Sequence, residues 1–582
     1  MNMYKYLRFA AMALALAGFL WNAHAAEPDI KPVRLDIYPE QVSGPISPYV
    51  FGAGLDHKTS PMRFARYPDL VARQVRESGL RIGRYPGGFV FRRNDHRGSW
   101  ANFYWQDHLD KNPHRNPLEV FDLDTFMQFC ERFNIEPLMQ INFVGEPEDS
   151  VLGYIEYLTG TGDMDGDGTD WAARRAANGR TAPYKVRYWQ LGNEVHSYPQ
   201  GFQESAAGAR EYAETVNRLV PKIRRLAPDA RILLPFINIE RPVSGFRRTP
   251  HQPDINFATS AEFALAFLKH LEVKVDYFDW HFYPANGWKD RWPYQGTDDE
   301  WKHYYCWGTK FRECYQAIVA MLQKHCRQQP PPTLIVGEWS GDVTADIFRA
   351  HPDAMRGSLA RTMASGVYMA DILMFMMENS TPDKQIHAAF WHNFSNVSQE
   401  LFSIQVTEEY IRKLGALKPY PGKGVNTDEG YGRRHPVYWV FKLLSEHHGN
   451  LLVNSRLQGD INIKAPADGL YTDPPYHFPR LTHCATRCQD KLFLALVNKD
   501  AHASVPLSIE IHARPVDGTA AVYTVGADHY LAENTLARPD RVALAGPEPL
   551  RRTGKQWEYC LPPNTLAVLQ FIFQSKCNSL QK

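Results

Sequence analysis

Charge of one sign is missing from this chain. Its 65 Lys and Arg offset 64 Asp and Glu, a formal net charge of +1 over 582 residues. No field exists to hold a phosphate backbone, so nucleic acid is excluded as a partner. Long apolar runs are missing too: beyond residue 25 nothing approaches the roughly 18 consecutive apolar residues that a membrane span needs. Cysteine is scarce, 8 in all, and no CxxC pair or HExxH helix marks a zinc site. No Gly-rich phosphate loop opens a doubly wound dinucleotide fold. Internal repeats and low-complexity linkers are also lacking.

What is present is ordinary globular composition, 44% hydrophobic and 22% charged. The length exceeds what one core serves, so two or more units are expected, one of which can be a barrel of about 250 residues or more. Aromatics reach 13%, with 14 Trp and 29 Tyr. Flat rings serve sugar or base stacking, or simply fill a large core.

Met1 to Ala25 reads as a secretory leader: Lys5 and Arg8 start it, Phe9 to Leu20 is apolar, and Ala23-His24-Ala25 fits the small-x-small cleavage pattern. An uncleaved anchor is the alternative. The leader predicts a secreted or periplasmic protein, nearly neutral once Lys5 and Arg8 are gone, with no stable membrane insertion. Export permits disulfides, and spacing makes Cys306/Cys314 and Cys484/Cys488 the candidate pairs.

From residue 46 to 448, strand-like runs alternate with helical stretches. The runs are Val50–Leu55, Leu80–Tyr85, Pro137–Phe143, Val186–Gly192, Arg231–Phe236, Val275–Tyr283, Thr333–Trp339 and Ile386–Trp391. Glu204–Leu226 and Phe311–Cys326 carry apolar residues at helical spacing. This predicts a (β/α)8 TIM barrel of the α/β class over 46–448. From 449 to 582 short runs such as Lys491–Asn498, Val505–Ile511 and Leu566–Phe573, broken by Pro, Gly and Asp, predict an accessory antiparallel β-sandwich. Val33–Tyr38, within 26–45, is expected to join it.

Barrel function sits at the C-terminal strand ends. Two carboxylates stand there: Glu194, ending Tyr188-Trp189-Gln190-Leu191-Gly192-Asn193-Glu194, and Glu338, in Leu334-Ile335-Val336-Gly337-Glu338-Trp339. An ionisable group terminating a buried strand is costly unless it faces solvent or a site. Either Glu alone is more often a salt-bridged loop residue; two at matching ends point to catalysis. Glycoside hydrolysis needs such a pair, one carboxyl to protonate the leaving oxygen and one to attack or stabilise the oxocarbenium-like carbon, with pKa values pushed apart. Asn193 is placed to hold a sugar hydroxyl. Tyr283, at the sixth strand end, is placed to orient the nucleophile, and His281 reads equally as a core or a site residue.

These residues resemble glycoside hydrolase clan A, and most closely family 51, the α-L-arabinofuranosidases. The resemblance rests on the stretch from Asp170-Trp171 through Ala177-Asn178-Gly179 to Trp189-Gln190-Leu191-Gly192-Asn193-Glu194. It rests also on Arg84-Tyr85-Pro86-Gly87-Gly88, His435-Pro436-Val437-Tyr438 and Leu561-Pro562-Pro563-Asn564. It implies a retaining enzyme with Glu194 as acid/base and Glu338 as nucleophile, Arg84 and Asn193 at the substrate, a sandwich after the barrel, a carbohydrate substrate and no required cofactor. Three positions that contact the sugar in the family depart from it here: Asp56 stands for Glu before His57, Phe89 for a sugar-binding Asn, and Trp391 for Gln. Asp56 and Trp391 are substrate-binding candidates in this chain. A Trp there resembles the platform of pyranose-cleaving clan members. With Phe89 and Trp391 in place of polar residues, weak or absent activity on simple arabinofuranosides and better turnover of a pyranosidic or extended polysaccharide are expected. The alternatives to an arabinofuranosidase-like enzyme are a β-pyranosidase or endo-glycanase of the same clan, and a non-catalytic carbohydrate-binding barrel.

Two further features remain. Trp280, Trp288, Trp292, Trp301 and Trp307, with Tyr294, Tyr304 and Tyr305, read either as stacking subsites beside Glu194 or as loop packing. Asp163-Met164-Asp165-Gly166-Asp167-Gly168-Thr169-Asp170 has the alternating oxygens of a calcium loop. An EF-hand needs Glu at its twelfth position, where this chain has Arg174, so a plain acidic turn stands beside a structural calcium site.

Overall fold

The computed structural model describes residues 31–55, 68–87, 123–144, 147–195, 202–203, 205–237, 257–283, 300–341, 359–392, 394, 401–404, 432–459, 461–465, 476–535 and 538–574. The expected leader, Asp56, Phe89, Trp288, Trp292 and Tyr294 lie outside these residues. Strand β1 (Val33–Pro45) belongs to a second sheet. The next eight close a barrel: β2 (Gly52–Gly54), β3 (Ile82–Tyr85), β4 (Glu136–Ile141), β5 (Tyr188–Leu191), β6 (Arg231–Ile237), β7 (Tyr277–Phe282), β8 (Thr333–Trp339) and β9 (Ile386–Trp391). Each is parallel to the next, and β2 pairs with β9 to close the ring.

Strand alternation sorts their side chains. Ile82, Leu138, Tyr188, Leu233, Ile335, Ala388 and Phe390 fill the barrel interior as one apolar cluster. Residues of opposite parity, such as Trp189, Phe278, Leu334 and Val336, join the larger core under the helices. The helix Ala206–Leu226 shows why the shell forms. Ser205 caps it, accepting from the Gly208 N–H at 3.1 Å. Its Ala209, Tyr212, Ala213, Val216, Leu219, Val220 and Ile223 then put one buried face on the strands. The helix Met363–Glu378 differs. Most of its side chains are buried on every face, because it lies between the barrel and the second sheet.

Two short ribbons, β10 (Phe402–Ile404) with β11 (Gly432–Arg434) and β13 (Asn462–Ala465) with β14 (Tyr476–Pro479), pair apart from the barrel and from the second sheet. The other strands of that sheet are β12 (Leu451–Gln458), β15 (Leu481–Cys488), β16 (Lys491–Asn498), β17 (Val505–Ile511), β18 (Thr519–Gly526), β19 (Ala545–Arg551), β20 (Trp557–Leu561) and β21 (Thr565–Ile572). The order is β19-β18-β21-β16-β15-β12-β1-β17-β20, antiparallel throughout except for β1 against β17. Trp557 of β20 meets the Phe571 ring of β21 at 5.1 Å, although five strands separate them in hydrogen-bonding order. The sheet therefore turns back on itself around its own apolar core, as a sandwich does.

Asp371 joins the two units. Fully buried, it accepts from Arg312 Nη2 at 2.7 Å on the barrel side, and from Lys499 Nζ at 2.8 Å and Thr482 Oγ1 at 2.7 Å on the sandwich side. Among the described residues no helix is long and apolar enough to cross a membrane. Neither candidate cysteine pair is a disulfide. Cys306 and Cys314 lie along one helix, about 12 Å apart at its rise per residue. Cys484 and Cys488 lie along β15, about 13 Å apart. Both spacings exceed what a disulfide spans.

Candidate active site

One pleat above the apolar interior layer, the inward residues become polar. Arg84 follows Ile82, Gln140 follows Leu138, Gln190 follows Tyr188, and Asp279 follows Tyr277; all four are buried. Arg84 organises this layer. Its Nε donates to Gln190 Oε1 at 2.8 Å, its Nη1 to Glu338 Oε1 at 2.7 Å, and its Nη2 to Asn193 Oδ1. A planar guanidinium reaches three acceptors in fixed directions, which a lysine could not do. Gln190 in turn donates to Asp279 Oδ2 at 2.7 Å.

Glu338 reaches the lumen through a bulge. With regular pairing it would share the outward parity of Leu334 and Val336. An extra residue, Gly337, breaks the β7–β8 register, so that Trp280 pairs with Val336 but His281 pairs with Glu338. Only glycine fits there, because a Cβ on Gly337 would lie 1.9 Å from Asp279 Oδ1. Tyr283 then donates its hydroxyl to Glu338 Oε2 at 2.7 Å. Burial would push the Glu338 carboxyl up, but His281, Arg84 and His392 and the Tyr283 hydrogen bond outweigh it and hold the group well below the ordinary carboxylate range.

Glu194 lies just past the end of β5 in the left-handed region, φ +43°. A non-glycine residue held there is strained, which is a recurrent property of functional positions. Glu194 Oε1 lies 2.8 Å from His281 Nδ1, and His281 Nε2 lies 3.0 Å from Asp279 Oδ2. Burial would lower the His281 pKa, yet Glu338, Asp279 and the bonds to Asp279 and Glu194 raise it well above the ordinary value. One oxygen from each glutamate and a ring nitrogen of His281 lie within 4.8 Å of one another. The Arg84 guanidinium pairs with Glu338 at 2.7 Å, so the trio offers a cation less negative charge than two free carboxylates would.

The structure thus brings together Arg84, Asn193, Glu194, His281, Tyr283 and Glu338. It does not bring Trp391 to them. Strand parity turns Trp391 away from the lumen, fully buried and edge-on to Trp339 at a ring distance of 4.8 Å. The next residue, His392, faces Tyr283 instead at 5.9 Å. A sugar platform at Trp391 is therefore corrected to a core residue. The described loop aromatics are core residues too. Trp280 stacks on Phe311, Trp301 packs on Phe478 of the sandwich side, Tyr305 donates to Asn564 Oδ1, and Tyr304 donates to the Gly341 carbonyl. Sequence reasoning missed Gln140, Gln190, Asp279 and His392. Polar residues at inward parity in apolar strands were the available signal.

Fold and site together define an eight-stranded barrel with a paired-carboxylate centre at its C-terminal strand ends. Residues 81–290 match the family described as the alpha-L-arabinofuranosidase 1 domain, which repeats the resemblance read from the motifs. Among curated proteins, the chain is 33% identical to a probable alpha-L-arabinofuranosidase C of Aspergillus clavatus over 165 residues, 26% of this chain and 30% of that protein. Alpha-L-arabinofuranosidase C of Emericella nidulans matches at 32% over the same shares. The match thus spans less than a third of these relatives' length. Among solved structures, the alpha-L-arabinofuranosidase of Thermotoga maritima superposes with a TM-score of 0.67 at 18% identity, covering 93% of this chain and 100% of that one. The GH51 arabinofuranosidase of Xanthomonas axonopodis pv. citri gives 0.68 at 18%, covering 93% and 99%. At that identity the structural likeness is one of fold.

Proposed function

We propose that this chain is a retaining glycoside hydrolase that releases α-L-arabinofuranosyl groups from an oligo- or polysaccharide, with Glu338 as nucleophile and Glu194 as general acid and base. A Glu338 oxygen attacks the anomeric carbon as the bond to the leaving oxygen breaks, and Glu194 passes that oxygen a proton. Water, deprotonated by Glu194, then displaces Glu338 and frees the sugar with its anomeric configuration retained. This chemistry uses two carboxyls and water, with no step that calls for a cofactor. His281 Nδ1, 2.8 Å from Glu194 Oε1, holds that carboxyl in place for the transfer.

One observation carries the proposal: glutamate oxygens within 4.8 Å, with the partner proposed to attack held ionised by His281, Arg84, His392 and the Tyr283 hydrogen bond. Retaining pairs stand about 5–5.5 Å apart, and inverting pairs leave room for a water at about 6.5–9.5 Å. Matches to proteins named as arabinofuranosidases support the furanose reading. The pyranosidase reading rests on Phe89, which lies outside the described residues, and on a ring platform at Trp391, which the buried ring does not provide. The test is kcat/KM on 4-nitrophenyl α-L-arabinofuranoside against the β-xyloside and β-glucoside. We expect the arabinofuranoside to lead, and Glu338→Gln to remove at least about 10,000-fold of its turnover. Preferred turnover of pyranosides would move the protein to the second reading; activity indifferent to Glu338→Gln would end the proposal.

A further inference from the structure

The acidic loop at residues 163–170 follows the helix Glu148–Thr159 and leads into the helix Trp171–Ala177, upstream of the strand that ends near Glu194. It has the spacing of a calcium loop, with Asp163, Asp165 and Asp167 at the first, third and fifth places. Gly166 and Gly168 have φ +78° and +88°, and a turn this tight places glycine at such angles. The missing element is the carboxylate an EF-hand supplies from its twelfth place, where Arg174 stands.

The structure supplies a carboxylate from the other direction. Glu156, on the preceding helix, is fully buried and reaches into the loop. Its Oε1 accepts the Asp165 N–H at 2.9 Å and the Met164 N–H. Its Oε2 is buried with no hydrogen-bond donor, and so is Asp165 Oδ2. One oxygen each from Glu156, Asp163 and Asp165 lies within 4.8 Å of the others. A buried carboxylate oxygen without a donor is costly, and three carboxylates gathered together repel one another. The nearest buried cation does not relieve them. Arg175 spends its guanidinium on backbone carbonyls, those of Tyr157 at 2.6 Å, Gly160 at 3.0 Å and Thr181 at 3.1 Å among them. Among the described residues no Lys or Arg forms a salt bridge to Glu156, Asp163 or Asp165.

We propose that Glu156, Asp163 and Asp165 form a calcium site, with Glu156 in the place of the absent twelfth-position glutamate. A hard cation with flexible, oxygen-only coordination matches an all-carboxylate donor set completed by loop carbonyls. The ion ties the helix carrying Glu156 to the loop that starts the segment leading to β5. It is a structural site and takes no part in bond cleavage.

The test uses the full chain, stripped with a chelator and titrated calorimetrically with CaCl2. One calcium per chain is expected, in the range of about 0.1 μM to 1 mM that such loops cover. The melting temperature should rise with calcium and fall on re-chelation, and magnesium at equal concentration should leave it unmoved. Glu156→Gln should weaken binding at least tenfold with an unchanged circular dichroism spectrum. Should that buried variant fail to fold, the more exposed Asp163→Asn supplies the same reading. No bound calcium at about 1 mM, an equal response to magnesium, or undiminished binding in the folded variants would overturn the site.

Discussion

Arg84 and Glu338 form an ion pair across the barrel lumen, Nη1 to Oε1 at 2.7 Å, with the two side chains only 1% and 8% exposed. Removing two charges from water is expensive, so such a pair persists only where further bonds complete it. Here Gln190, Asn193 and Tyr283 do so.

Arg84→Lys keeps the charge but cannot serve Glu338, Gln190 and Asn193 together. We expect kcat to fall about 100-fold or more, as for loss of a preorganised electrostatic group. The acidic limb of the pH profile should move up, because Glu338 loses part of what holds its carboxyl down. Tyr283→Phe should move the limb the same way by less. Unshifted limbs in both variants would show that neither group sets the charge of Glu338.

The same cluster makes a prediction about stability. Glu338 has a depressed folded pKa, so its contribution is present above the unfolded value of about 4.3 and is lost as pH falls through the folded value. His281 has a raised folded pKa. Its contribution is present below about 6.5 and is lost as pH rises through the folded value. Melting temperatures followed from neutral to alkaline pH should therefore decline, and His281→Gln should flatten that decline. Identical alkaline slopes in parent and variant would refute the linkage.

Much of this was legible from the chain, for reasons that separate the hits from the misses. The barrel strands stand out because each is a short apolar run with a helical stretch behind it. Glu194 and Glu338 stand out because a carboxylate at the end of such a run needs a reason. Trp391 misleads because the resemblance sets it where the family carries Gln, near the end of the eighth strand, without fixing its parity, and one residue of register exchanges the lumen for the outer core. Glu338 faces the lumen only through the Gly337 bulge, which no two-residue alternation predicts. The helix Met363–Glu378 lacks a polar face, so periodicity does not reveal it. Glu156 lies outside the loop motif it completes and is visible only once the helix and loop are folded together.

Trp391 as a core residue has its own consequence. Trp391→Ala should cost about 3–5 kcal/mol of stability, the usual range for a buried aromatic, measured by denaturant unfolding. KM for an arabinofuranoside should change little in the folded enzyme. A rise in KM at unchanged stability would restore the platform.

Asp371 makes the barrel–sandwich interface sensitive to a single charge. Asp371→Asn leaves Lys499, whose side chain is 0% exposed, without its counter-ion. A loss of about 3–5 kcal/mol is expected, as for breaking a buried pair from one side. Burial lowers the Lys499 pKa to about 8 even with Asp371 opposite, so the variant's lysine should titrate lower still. Unfolding of parent and variant in urea at neutral pH measures the loss, and equal stabilities would show that the pair does not hold the units together.

The proposed retaining mechanism is tested most directly by following hydrolysis of 4-nitrophenyl α-L-arabinofuranoside by proton NMR from the first seconds. The proposed roles of Glu338 and Glu194 predict that the α-anomer of arabinose appears first and the β-anomer grows in only by mutarotation. First appearance of the β-anomer would mean a single inverting displacement and would contradict the assignment of Glu338 as nucleophile.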